Sequence, residues 1–293
     1  RLSVGRACHG IPSSPLTSLP SSTEIDGTQR FSFFMARDST INAFALPGGF
    51  IGVNSGLLLE TKNESELAGV LAHEISHVTQ RHIARSIAAQ SRTSLVSTAA
   101  MLAAILVGAA AGGGGDAAMA GVAAAQSLAI QQQISFTRSN ESEADRVGLG
   151  ILARSGFDPN GMPAFFETMS RHAGGGELDI PEMLRSHPVT STRIAETKER
   201  ATQLNVTPLP DSLSYELTRE RLRVLATPAG EDAREYYAAT IQNEPDASSA
   251  QVYGKALALM VSGEPAKAVP IFARLSKADP TVMQYHTALG QAQ

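Results

Sequence analysis

The stretch His73-Glu74-Ile75-Ser76-His77 holds the residue types that metal-assisted hydrolysis needs. The two histidines stand four apart, so on a helix both imidazoles leave the same side, one turn apart, and can grip a single divalent ion. Glu74, beside the first histidine, can reach a water held at that ion without itself being a ligand, and so take its proton. A chance match on a solvated helix is the bland alternative. The residues before and inside the motif speak against it: Val70, Leu71, Ala72 and Ile75 argue for burial, where two unpartnered histidines and a glutamate would be costly.

A helix must carry this pair. Leu67, Val70, Leu71, Ile75 and Val78 recur at three- and four-residue steps, the period of an apolar helix face. Asn63 is placed to cap its start, and Glu66 to reach back and complete a capping box. The helix is expected to continue through Gln80-Arg81-His82 toward Gln90. His82, five residues past His77, then points elsewhere and reads as structural.

Two histidines leave a catalytic zinc one protein ligand short, and a glutamate from a later helix supplies it in one peptidase class. The helical pattern from Ala117 to Ala153, with an interruption expected near Thr137 to Asn140, contains Asn140-Glu141-Ser142-Glu143-Ala144-Asp145-Arg146. Glu141 and Asp145 are four apart and share a face. Glu141 can bind the metal while Asp145 accepts the outer N–H of a ligating histidine, fixing its ring and tautomer. Glu143 points away, toward solvent or Arg146. A solvated charged helix is the alternative, weakened by its place behind an apolar hairpin and H-E-x-x-H. In Ser186-His187-Pro188, the proline holds a histidine rigid at a loop end, well placed to enter a cleft. A lone loop histidine is nonetheless more often structural or solvated.

Ahead of the metal helix, Arg30–Ala36, Ile41–Leu46 and Phe50–Asn54 read as three strands of a short β-meander, with Pro47-Gly48-Gly49 as a turn. Asn42 to Phe44 are the expected edge on which an extended substrate pairs. Ala99 to Ala111 is a thirteen-residue run without a charged or hydrogen-bonding side chain, closed by four glycines. A membrane-spanning helix needs about 20 apolar residues. The run therefore reads as part of a mobile helical lid at about residues 95–130, with peripheral membrane contact through residues 99–111 as the alternative.

Residues 1–26, rich in Ser, Pro and Gly, are expected to be irregular. A metallopeptidase domain then spans residues 27–205. Gly156 and Pro159 end its charged helix, and Gly174-Gly175-Gly176 forms a flexible break. Residues 206–230 read as a linker. Beyond it, Ala233 to Pro245 aligns with Ala268 to Pro280 at an offset of 35, the tetratricopeptide pattern in roughly two copies over residues 231–293. The fold class expected is α+β and mostly helical, a zincin domain with a short sheet followed by helical repeats.

With 293 residues, net charge −4 and 43% hydrophobic residues, the chain suits a globular protein with a large core. No basic stripe and no tryptophan point to nucleic acid. The lone Cys8 excludes an internal disulfide framework and a cysteine-rich zinc site. The chain begins at Arg1 without a charged segment and apolar run after it, so a signal peptide is expected to be absent or removed before this numbering.

Together, His73-Glu74-x-x-His77, Glu141-x-x-x-Asp145, His187-Pro188 and the strand Ile41–Gly49 resemble the gluzincin metallopeptidases of the HtpX/CAAX-protease superfamily. The resemblance, which includes the repeats, covers about Phe31 to Gln293. It implies His73, His77 and Glu141 as ligands of one Zn²⁺ per chain, Glu74 as general base, and Asp145 as a supporting residue or proton donor. It also implies His187 as a fourth ligand on a loop over the site, which would keep the enzyme latent until the loop moves. A periplasmic location, unfolded or misassembled outer-membrane proteins as substrates, and contact with β-barrel assembly machinery through the repeats follow from the resemblance alone. Residues 1–26 lack the helical lead-in expected of such proteins, and only two repeats remain where more are usual. The rival reading is a chaperone-like repeat adaptor with a structural zinc site, against which Glu74 discriminates. A membrane-embedded protease acting on lipid-modified proteins is the third, and the apolar run is too short to support it.

Overall fold

A computed structural model describes residues 30–110, 114–172, 180–228, 231–241 and 246–293. The expectations for residues 1–26 and for Gly174-Gly175-Gly176 lie outside the described residues.

Three strands open the fold: β1 (Ser32–Ala36), β2 (Ala43–Leu46) and β3 (Phe50–Asn54). They are not a meander. The order is β1-β3-β2, with β1 parallel and β2 antiparallel to β3. Gly48 and Gly49 both take left-handed φ, 92° and 85°, and so turn β2 tightly back into β3. This topology leaves β2 at an edge of the sheet. Asn42 accepts from the Asn54 amide across β3, so by antiparallel alternation the backbone groups of Ala43 and Ala45 face outward.

Strand β3 runs into α1 (Ser55–Glu60), which leads to α2 (Glu64–Thr79), the helix of the motif. Asn63 caps α2 by accepting from the Glu66 amide at 2.9 Å. Glu66 reaches back one residue further than expected, accepting from the Lys62 amide at 2.9 Å. From Glu64 to His77 every residue of α2 is buried. It lies against β2, against α4 (Gly114–Arg154) and against α5 (Gly161–His172). Gly148 permits the close approach of α4, since a Cβ there would sit 3.2 Å from the Ala72 carbonyl.

Helix α2 does not continue toward Gln90. It stops at Thr79, Arg81 turns the chain with φ 55°, and α3 (His82–Ala110) starts afresh. The two long helices α3 and α4 pack along each other as a hairpin that extends beyond the expected residues 95–130. Helix α4 runs through Thr137 to Asn140 without interruption. Gly156, at φ 80°, follows its end. Among the described residues, no helix is long and apolar enough to cross a membrane.

After the short α6 (Glu182–Ser186), Thr190 caps α7 (Ser191–Gln203). The stretch read as a linker carries α8 (Leu213–Leu225), followed by α9 (Ala233–Thr240), α10 (Ser249–Val261), α11 (Pro265–Ala278) and α12 (Met283–Ala292). Two hydrophobic clusters result, one around α2, α4 and α5 and one among α8 to α12. Helix α8 serves both, placing Tyr215 in the first and Leu217 and Val224 in the second.

A reciprocal exchange fixes α8 to the start of α2. Buried Glu64 accepts from the Ser212 amide at 2.6 Å and its hydroxyl at 3.0 Å, while Asp211 accepts from the Glu64 amide at 2.9 Å. Because hydrogen bonds to a charged group are worth about 1.5–3 kcal/mol, Glu64→Ala is expected to destabilise the chain by about 2 kcal/mol, read from denaturant unfolding. An unchanged midpoint would show that this joint is not stabilising.

Candidate metal centre

Four side chains from three places in the chain converge at the buried end of α2. His73 Nε2 and His77 Nε2 lie 3.0 Å apart. Glu141, brought in by α4, stands 3.4 Å from each of these nitrogens through its two oxygens. His187, at the end of α6, places Nδ1 3.1 Å from both Glu141 oxygens and 3.4 Å from His73 Nε2. One donor atom from each of His73, His77, Glu141 and His187 falls within 4.8 Å of all the others. Bonds of about 2.0–2.2 Å in a tetrahedral zinc site put neighbouring donors about 3.3–3.6 Å apart, close to what is seen here. Nitrogen and carboxylate donors without sulfur also suit Zn²⁺.

The electrostatics show the same demand for positive charge. Burial disfavours a charged His73, yet its contacts with Asp145 and Glu141 outweigh burial and hold its pKa at about 10. Burial, aided by repulsion from His73, pushes His77 down to about 2. Glu141 is held well below the usual carboxylate range: its hydrogen bonds to His187 and His73 overcome the opposing effect of burial. Three imidazoles around a carboxylate that stays ionised make an arrangement in which a divalent cation can take the place of the His73 proton.

Each motif histidine has an outer partner. His73 Nδ1 lies 2.9 Å from Asp145 Oδ1. Arg193, which sequence reasoning did not single out, clamps that carboxylate through two bonds of 2.7 Å. Its Nη1 also donates to the Pro188 carbonyl at 2.8 Å and lies 3.0 Å from Glu141 Oε2, and its guanidinium stacks 4.8 Å over the Phe166 ring. One buried cation thus binds the glutamate, the aspartate and the loop that carries His187. The only sequence signal was its position three residues after a threonine N-cap.

His82 and Glu143 differ from their expected placement. The turn at Arg81 brings His82 Nδ1 to 2.9 Å from His77 Nδ1. Glu143 is partly exposed but turns to His82 and Arg85 rather than to Arg146: its Oε2 lies 3.1 Å from His82 Nε2 and accepts from Arg85 at 2.7 Å.

Glu74 stands beside the donor cluster. Its carboxylate takes a hydrogen bond from the Ala45 backbone, and burial, ahead of the attraction of His187 and His73, raises its pKa. Glu74 Oε1 is buried without a hydrogen-bond partner, 3.6 Å from His187 Nε2. A cavity of about 540 Å³ opens here, lined by Asn42, Phe44 and Ala45 on the free edge of β2, by Glu74 and His77, and by Arg185 to His187 opposite.

A helix-borne H-E-x-x-H pair joined by a glutamate from a later helix, beside an exposed edge strand, defines a zincin-type metallopeptidase site. The chain belongs to peptidase family M48, a zinc-dependent family whose profile matches residues 16–201. A β-barrel assembly-enhancing protease of Escherichia coli K12 is 39% identical over 191 residues, 65% of this chain and 38% of that protein. A Vibrio cholerae protein provisionally given the same name is 42% identical over 256 residues, 85% of this chain and 51% of its own. The mitochondrial metalloendopeptidase OMA1 of Schizosaccharomyces pombe is 34% identical over 171 residues, 58% of this chain and 46% of that protein. The chain thus spans about half, or less, of the length of these relatives.

Removing one partner from a buried ionic network costs about 3–5 kcal/mol, so Arg193→Met is expected to lower the stability of the metal-free chain by that order. Arg193→Lys is expected to restore only part of it, since an ammonium cannot clamp a carboxylate through two bonds. Thermal unfolding of both variants without metal tests this, and wild-type stability in Arg193→Met would refute it.

Proposed function

We propose that this chain is the metallopeptidase part of a zinc endopeptidase that cleaves unfolded or misassembled outer-membrane proteins in the bacterial envelope, and that His187 holds it latent. The observation that carries the reading is Glu74: a buried carboxylate beside the donor cluster but outside it, with an oxygen lacking a partner, facing a cleft along a free strand edge. A purely structural site has no need of that group.

In this reading His73, His77 and Glu141 hold the ion. Zinc, when bound, polarises the scissile carbonyl and acidifies water. Glu74 takes the water's proton and returns it to the leaving amine nitrogen. The outward backbone of Ala43 and the Ala45 carbonyl pair with an extended substrate, which favours unfolded chains over folded ones. Asp145 holds His73 in the tautomer whose Nε2 faces the cluster. His187 Nδ1 fills the place that the reactants need, and its ring lies against Glu74, so the loop must swing away before turnover.

The substrates and the envelope location are supported by the relatives' names, which concern β-barrel assembly. Helices α9 to α12 are read as two tetratricopeptide repeats, consistent with the short connections from α10 to α11 and from α11 to α12 and with the left-handed Gly263. On this reading they offer a docking surface for assembly machinery. The hairpin of α3 and α4 is read as a lid that restricts entry. One observation favours a second reading, a repeat adaptor with a structural zinc: four protein donors, His187 included, describe a closed site.

Unfolded casein distinguishes the two. Glu74→Gln is expected to retain zinc and lose at least about 100-fold in hydrolysis, in line with general-base catalysis. His187→Ala is expected to cleave faster than wild type. Zinc binding with no hydrolysis in wild type or His187→Ala would favour the adaptor, and cleavage by Glu74→Gln would refute the mechanism.

A further inference from the structure

The backbone between α2 and α3 carries the one non-glycine residue with positive φ among the described residues, Arg81 at 55°. Such a conformation persists where surrounding contacts require it, and here the contact is identifiable. On an unbroken helix, five residues at about 100° each would turn His82 about 140° away from His77. The turn at Arg81 instead folds His82 back until the two Nδ1 atoms are 2.9 Å apart, with His82 buried. From there a line of contacts runs outward: His82 Nε2 to Glu143 Oε2 at 3.1 Å, and Glu143 Oε2 to Arg85 at 2.7 Å.

One assignment of protons satisfies every member of this line. His77 turns Nε2 to the other metal donors, so its hydrogen lies on Nδ1 and is donated to His82. His82 Nδ1 therefore accepts, its own hydrogen lies on Nε2, and Glu143 receives it. Glu143 in turn is fixed by Arg85. No member can change its tautomer without breaking a neighbour's bond. His73 has a different neighbour, the charged Asp145, whose Oδ1 lies 2.9 Å from its Nδ1.

We propose that His82 is a positioning residue for the metal centre: it fixes the tautomer and ring orientation of His77, Glu143 fixes His82 in turn, and the bend at Arg81 exists to bring them into line. This rests on the reading that His73, His77 and Glu141 hold zinc. His82 and Arg85 form the first turn of α3, so the root of the proposed lid is built into the metal centre itself. Displacing α3 at its base would loosen His77, while motion toward its far end need not.

The test is zinc affinity, by competition with a chromophoric chelator, and the visible spectrum of the cobalt-substituted full chain. His82→Phe keeps a ring of similar size but no acceptor for His77. It is expected to bind zinc about 10–100-fold more weakly, the usual loss when an outer partner of a ligating histidine is removed, with an altered cobalt spectrum. His82→Gln offers a side-chain oxygen in place of Nδ1 and is expected to recover most of the affinity, which a mere packing role would not predict. Glu143→Ala, a change at a partly exposed position, is expected to weaken zinc less, and it carries the test if His82→Phe does not fold. Wild-type affinity and spectrum in His82→Phe, or in Glu143→Ala where that variant stands alone, would overturn the proposal. Absence of zinc from the wild-type chain would overturn the underlying metal reading with it, and the two failures are told apart by that one control.

Discussion

Nitrogens of three imidazoles and a carboxylate meet inside the fold, with contacts of 3.0–3.4 Å. Little exposed to solvent, such a convergence needs a positive charge among its members. Most of the surrounding structure is arranged to keep that convergence in place. Helix α2 is buried along nearly its whole length, α4 is drawn close by Gly148, and Arg193 ties the α4 carboxylates to the His187 loop.

The supports of the two motif histidines differ in kind. His73 leans on a carboxylate that is itself clamped by a buried arginine, so its support is ionic and rooted in the core. His77 leans on a neutral ring whose own anchor, Glu143 with Arg85, lies toward the surface at the root of the long hairpin. His187 joins the cluster through Nδ1 and lies 3.6 Å from Glu74 through Nε2, on a loop held by a hydrogen bond from Arg193 to the Pro188 carbonyl. Buried Arg193 thus serves both the His73 side and the His187 loop, while the support of His77 runs out to the base of α3.

The residues that the sequence brings to notice, His73, Glu74, His77, Glu141, Asp145 and His187, lie together in the structure because their types and spacing follow from metal chemistry on helices. The edge strand was legible from the apolar run ending in Pro47-Gly48-Gly49. Its pairing was not, because a parallel β1–β3 pair leaves no local signature. His82 and Glu143 were misplaced for one reason: helical periodicity assumes that the helix continues, and a left-handed Arg81 gives no compositional warning, as a glycine would have. Arg193 was missed because its partners are 48 and 52 residues away, and its worth comes from burial rather than from any motif. Helix α8 was hidden by the prolines before it, which mark a turn but not the charged helix that follows.

The most direct test of the central claim is a zinc-edge anomalous difference map from crystals of the wild-type chain. A single peak is expected, bonded to His73 Nε2, His77 Nε2, a Glu141 oxygen and His187 Nδ1, with Glu74 beside it but unbound. A peak held by the first three with His187 turned away would contradict the latent state, and no peak among these residues would contradict the account as a whole.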